Sequence, residues 1–252
     1  MTSKKSYMNT RSLVLVSFMI FLMIACEKST NSSESASTGK GGSLARFATV
    51  GNYLYLVDYA TIEIYDISTS IAFKRKSVFV GFAIETIFPY KDKLFIGSRD
   101  GMFIFSIADP KTPVKLGTAR HLRSCDPVVA DDNLSYVTLR GGPCGPAVDG
   151  LYIYDVKEVM NPKQLSLLEL SNPSGLGVKD SVVFVCRGQY GLTAVNAKDP
   201  FHPKEMYTIN DANFTDVIQY ENLLICYVSD GLLLYDISNL KSIVKMGNVS
   251  YQ

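Results

Sequence analysis

Three arginines, Arg99, Arg140 and Arg187, each directly follow a short apolar run: KLFIGS, LSYVTL and VVFVC. Asp58 follows a fourth such run, and Asp230 stands just beyond a fifth. A second column, Arg46, Thr86, Asp126, Ser174 and Asp216, opens the extended segment ahead of each run. Residues that recur at equivalent places of repeated units can converge on one site. Arginine forks in such a ring suit a carboxylate or a phosphate. A ring holding both signs can instead pair internally and fix the register of the units. Asp126 and Asp216 are the carboxylates a glycoside hydrolase would need, provided they stand about 5–9 Å apart across a cleft. The chain has no tryptophan, which a sugar site would usually carry.

Other catalytic signals are poor. The two histidines, His121 and His202, fall in different units; His121 is nearer the charged columns. No Cys/His spacing fits a metal site, and neither a nucleophile elbow nor a Gly-rich phosphate loop occurs. No cofactor is implied. The formal charge is +1 over 252 residues, and without residues 1–26 the balance is 22 basic to 24 acidic side chains. A near-neutral body has no electrostatic reason to bind nucleic acid, which needs cations for its phosphates.

The N-terminus is an address. Lys4, Lys5 and Arg11 precede an apolar run, Leu13 to Ala25, that suits a signal-peptide core and is short for a membrane span. The run ends in MIAC, which resembles the bacterial lipobox, with Met23 where leucine is usual. The resemblance implies a leader over 1–26 and lipidation of Cys26. Residues 27–43 are rich in Ser, Thr and Gly and read as a flexible tether. The expected location is the bacterial cell envelope, at the outer membrane, with the bilayer as a partner through the lipid on Cys26.

Residues 44–252 must position the charged columns. One eight-residue phrase recurs: ATIEIYDI (60–67), DGMFIFSI (100–107), DGLYIYDV (149–156), YGLTAVNA (190–197) and DGLLLYDI (230–237). Spacings of 40, 49, 41 and 40 residues place one insertion in the third unit. Each unit holds four apolar, alternating runs separated by turn residues, here A to D, and no helical period persists. Four strands per roughly 40 residues predict an all-β, five-bladed β-propeller of antiparallel blades. Prolines in DPKTP, NPK and DPFHP mark the outer C–D turns. Both ends of the array coincide with unit boundaries, so the first and last blades are expected to close by face packing. The alternative is an outer strand supplied by residues 38–43.

The units resemble LVIVD repeats, a β-propeller family common in bacterial surface proteins. The likeness lies in the strand-B run, the YDI or YDV phrase and the DPxxP loop, and covers residues 44–250. Unit four departs with TAVNA, and unit five has SNLKS for the proline loop. The stretch CDPVVADDNLSYVTLRGGPCG (125–145) resembles a lipid-anchored subgroup. Such likeness speaks to fold far more than to activity.

In an up-and-down blade the start of A and the end of B share one disc face. Cys125 starts strand A of unit three and Cys144 lies in its B–C insertion, so a disulfide between them would staple that insertion. The closed loop of roughly 20 residues is worth about 3 kcal/mol. Cys186 and Cys226 occupy equivalent places in neighbouring blades and are expected to be free, buried thiols. The ringed face gathers Arg46, Asp58, Arg99, His121, Asp126, Arg140, Arg187, Asp216 and Asp230. The reading favoured is a lipid-anchored, non-catalytic binding or scaffolding module with a protein partner. The alternatives are a receptor for a small polar or anionic ligand, and a carboxylate-dependent glycoside hydrolase.

Overall fold

Alternating apolar runs bounded by Gly, Asn and Asp turns give strands throughout. The computed structural model describes residues 41–121, 127–142 and 144–251. The leader, Cys26, residues 27–40, Cys125 and Asp126 lie outside the described residues. Blade I holds β1 (Phe47–Val50), β2 (Tyr53–Val57), β3 (Thr61–Asp66) and β4 (Phe73–Phe79). Blade II holds β5 (Ile84–Tyr90), β6 (Lys93–Ser98), β7 (Gly101–Ser106) and β8 (Val114–Arg120). Blade III holds β9 (Val128–Ala130), β10 (Leu134–Leu139), β11 (Gly150–Asp155) and β12 (Lys163–Glu169). Blade IV holds β13 (Leu176–Lys179), β14 (Val182–Cys186), β15 (Leu192–Asn196) and β16 (Lys204–Ile209). Blade V holds β17 (Phe214–Tyr220), β18 (Leu223–Val228), β19 (Gly231–Asp236) and β20 (Val244–Ser250). Each blade is a four-stranded antiparallel sheet of consecutive strands, so the chain is a five-bladed β-propeller with no strand exchanged between blades.

The recurring phrase is turn and register chemistry. Its seventh residue, Asp66, Ser106, Asp155, Asn196 or Asp236, accepts a hydrogen bond from the backbone N–H two residues on, starting the C–D loop. Its last residue donates its N–H to the A–B turn of the same blade in all five copies, as Ile237 does to Asn222 O at 2.8 Å. Between its fifth and sixth residues the C–D pairing slips by one, leaving Arg75, Leu116, Leu165, Met206 or Met246 as a bulge on strand D. The glycine at the second position of four copies sits where strand D comes close. A Cβ on Gly231 would lie 2.0 Å from Val249 O, and one on Gly101 2.5 Å from Ala119 O.

The C–D loops also tie blade to blade. Tyr55 Oη donates to Pro110 O (2.8 Å), Ser166 Oγ to Pro200 O (2.6 Å) and Tyr207 Oη to Leu240 O (2.9 Å). The three acceptors occupy equivalent places in the loops of blades II, IV and V.

Core packing runs around the ring but does not complete it. Apolar clusters join blades I and II, II and III, III and IV, and IV and V. Among the described residues none joins V to I. Strand β14 is accordingly buried at every position, whereas β3 and β19 are buried only at alternate ones. Blade I leaves Phe47 and Leu56 exposed on its far side, and blade V leaves Tyr227 exposed and Leu232 and Leu234 half-buried. Among the described residues the first and last blades therefore share no apolar face contact. Residues 41–43 add no strand to blade V, and residues 38–40 lie outside the described residues.

Candidate functional site

Strands A begin, and strands B and D end, on one disc face. The chain reaches β1 along that face through a strap, residues 41–46. Ala45 N–H donates to Gly42 O (3.0 Å), turning the strap over the central channel. Ser43 is fully buried, and its Oγ donates to Asp216 Oδ1 of blade V (3.0 Å). The same Oγ accepts from Leu176 N–H of blade IV (2.7 Å). Leu44 N–H donates to Asp216 Oδ2 (3.3 Å). Ala45 O accepts from Ile87 N–H on the channel edge of β5 (2.9 Å), and Arg46 O from Val57 N–H (2.8 Å). Six residues thus connect four blades across the gap that apolar packing leaves open.

Asp216 is the centre of this arrangement. A Cβ on either Gly42 or Gly175 would lie 2.1 Å from a carboxylate oxygen of Asp216, so both positions need glycine for close approach. Burial raises the Asp216 carboxyl to about 6, against the hydrogen bonds from Ser43, Val217 and Leu44 that favour its charged form. A raised carboxyl in a channel is a candidate general acid. Here both oxygens are engaged by the strap, and the group acts as an acceptor that fixes the strap.

The remaining described members of the predicted ring lie at strand ends on this face, and the bonds their side chains make are local. Arg99 Nε donates to Glu85 Oε1 of its own blade (2.8 Å). Arg140 Nη1 reaches Asn172 Oδ1 at 3.4 Å. Arg187 Nε donates to Ser171 O (3.1 Å) and Nη1 to Thr193 Oγ1 (3.2 Å); Nη1 lies 3.8 Å from Glu205 Oε2. The Arg187 guanidinium also sits 5.8 Å from the Tyr190 ring centre. Asp58 caps Tyr59 N–H (2.7 Å), and Asp230 O accepts from Tyr251 N–H (3.1 Å). Arg46 is exposed and His121 half-buried. Thr86 is buried, and Ser174 Oγ lies within hydrogen-bond distance of the carbonyls of Cys186 and Thr215, which share its one proton. Asp126 lies outside the described residues, so its separation from Asp216 is not defined.

Two features went unread in the sequence. Ser43 was assigned to a polar tether by composition, and only its GGS context hinted at a turn. Asp149 opens the third copy of the phrase; its carboxylate accepts from Gly141 N–H (2.9 Å) and Asn172 N–H (3.1 Å), pinning the root of the insertion. Cys186 and Cys226 are free and buried, as their equivalent places predicted, and burial pushes both thiols up. Cys144 is not among the free cysteines, and its predicted partner Cys125 lies outside the described residues. Among the described residues no cluster of three His, Cys, Asp or Glu side chains could hold a metal ion.

Solved structures resemble this architecture. A protein from Lactobacillus plantarum aligns with a TM-score of 0.62 at 13% identity, over 79% of this chain and 68% of that one. AztD from Citrobacter koseri, in its apo form, aligns at 0.57 and 10% identity, over 83% and 60%. BamB from Moraxella catarrhalis aligns at 0.56 and 11% identity, over 73% and 54%. The shared property is the propeller fold. The chain spans roughly three-fifths of the length of these proteins. No family model and no curated protein matches the sequence.

Proposed function

We propose that the chain is a lipid-anchored β-propeller of the cell envelope, akin to the LVIVD-repeat proteins, that binds or scaffolds another macromolecule without catalysis. One observation carries this reading. The chain's own strap engages both oxygens of Asp216, while large apolar side chains stand exposed elsewhere on the ring. Polar chemistry is directed inward and adhesive surface outward, which suits a module that meets large partners. The lipobox-like MIAC supports an anchor on Cys26, outside the cytoplasm at the outer membrane, and the exported setting supports a Cys125–Cys144 disulfide.

The test is crosslinking of the full chain in its own host's envelope, followed by mass spectrometry, beside native mass spectrometry of the uncrosslinked protein. Reproducible crosslinks to one macromolecule, with no bound small molecule, are expected. A ligand mass that persists through purification and disappears in Arg140→Ala would overturn the reading in favour of a small-ligand receptor. Metabolic labelling with an alkyne fatty acid checks the anchor, and Cys26→Ala is expected to abolish the label.

A further inference from the structure

Tyr59, Phe79 and Phe82 form an aromatic patch that the core does not use. Tyr59 lies in the β2–β3 turn, Phe79 ends β4, and Phe82 lies in the connection to β5. The Phe79 and Phe82 rings are 5.5 Å apart, edge to face, and Tyr59 and Phe82 are 6.3 Å apart. Each is more than three-fifths exposed, at 62%, 61% and 63%. Three contiguous large rings left in water mark a contact surface. The mounting is rigid: Tyr59 O accepts from Ile84 N–H (3.1 Å) and Ala60 O from Val80 N–H (3.0 Å). Met160 and Phe201, exposed apolar residues of the C–D loops, stand instead on different blades.

We propose that this patch lies against the bilayer that holds the lipid anchor, seating its rings among the headgroups. The inference rests on the anchor reading above. Three observations support it. The patch sits where strands B and D of blade I end and strand A of blade II begins, which is the face over which the strap crosses. The described chain begins on that face, at Gly41, fifteen residues after Cys26. Fifteen residues can span at most about 50 Å, so the face on which the described chain begins stays within that distance of a lipid on Cys26. Chemistry supplies the third support. Tyr and Phe carry apolar bodies suited to the membrane–water boundary, and Tyr adds a polar tip for it. The exposed Arg46 on the same face adds a charge that anionic headgroups attract.

The absence of tryptophan makes the test direct. The full chain is produced with its own leader, recovered with its lipid in detergent, and reconstituted into phosphatidylcholine–phosphatidylglycerol vesicles. Phe82→Trp and Phe201→Trp each supply a sole tryptophan, one in the patch and one on an outer loop of blade IV. Vesicles containing acyl-chain-brominated lipid should quench the tryptophan of Phe82→Trp at least about twofold, blue-shift its emission, and leave that of Phe201→Trp unchanged. Flotation with the vesicles without quenching of Phe82→Trp would overturn the patch assignment and leave the anchor standing. Equal quenching of both variants would overturn it too, because the disc would then have no preferred face. Failure of the unsubstituted chain to float would overturn the anchor itself and the patch with it. Protection of Phe82→Trp in whole envelopes but not in vesicles would reassign the patch to a protein partner.

Discussion

Ser43 and Asp216 are 173 positions apart, and Ser43 Oγ donates to Asp216 Oδ1 at 3.0 Å. The bond joins the segment ahead of blade I to the inner strand of blade V, where no apolar cluster joins the two blades. Burial raises its acceptor to about 6 in the fold, against an ordinary aspartate value of 3.8. The folded chain therefore holds this proton more tightly than the unfolded chain. The sign follows: the contribution of Asp216 is fully present below pH 4, is lost as pH rises through 6, and is level above that. Holding this proton at about 6 instead of 3.8 corresponds to about 3 kcal/mol. Urea midpoints between pH 4 and 7 should show this downward slope in the parent relative to Asp216→Asn, which has no proton to lose there. Parallel profiles for the two proteins would remove Asp216 from the account.

Gly42→Ala tests the closeness of the strap. Its new Cβ would meet Asp216 Oδ2 at 2.1 Å and Cγ at 2.8 Å, so strap or carboxylate must move. The expected loss is about 1–3 kcal/mol, as for other overpacked sites. In an Asp216→Ala background the obstacle is gone and the loss should shrink, giving a coupling measurable by a double-mutant cycle. Equal losses in both backgrounds would mean that the strap does not sit on Asp216.

The inter-blade tyrosines give a separate measure of what holds neighbouring blades. Tyr55 and Tyr207 donate to loop carbonyls of the next blade at 2.8 and 2.9 Å. Phenylalanine at either position keeps the ring and orphans one carbonyl. Each substitution should lower unfolding stability by about 1 kcal/mol, and the two should add, because different blade pairs are involved. A non-additive pair, read from denaturant midpoints, would point to a ring that responds as a unit.

Fold and site were legible to different depths. The phrase YDI could be counted from the sequence because turn chemistry is local. Asp236 needs only the N–H of Ser238, two residues on, and Ile237 only the A–B turn of its own blade, at Asn222. Periodicity likewise placed Cys186 and Cys226 on buried faces, since equivalent strands repeat their environment. The strap was illegible because its partners are distant: nothing near Ser43 in the chain announces Asp216 or Leu176. Closure failed for a related reason. Alternation predicts that Leu56 and Leu234 each face something, but not whether they face each other. The charged columns align by repeat position alone, and the local partners of Arg99 and Arg187, Glu85 and Ser171, lie outside those columns.

The cysteines allow a count that separates fold from covalent chemistry. Cys186 and Cys226 are buried, and burial raises both thiols, so neither offers thiolate at neutral pH. The folded, lipidated protein should therefore take up no alkylating reagent. Unfolding in denaturant without reductant should expose two reactive thiols, these two. Adding reductant should raise the number to four, the extra pair being Cys125 and Cys144 of the proposed staple. Peptide mapping of the alkylated positions identifies each. Four labels without reductant would dismiss the disulfide, and labelling of the folded state at Cys186 would contradict the blade IV–V core.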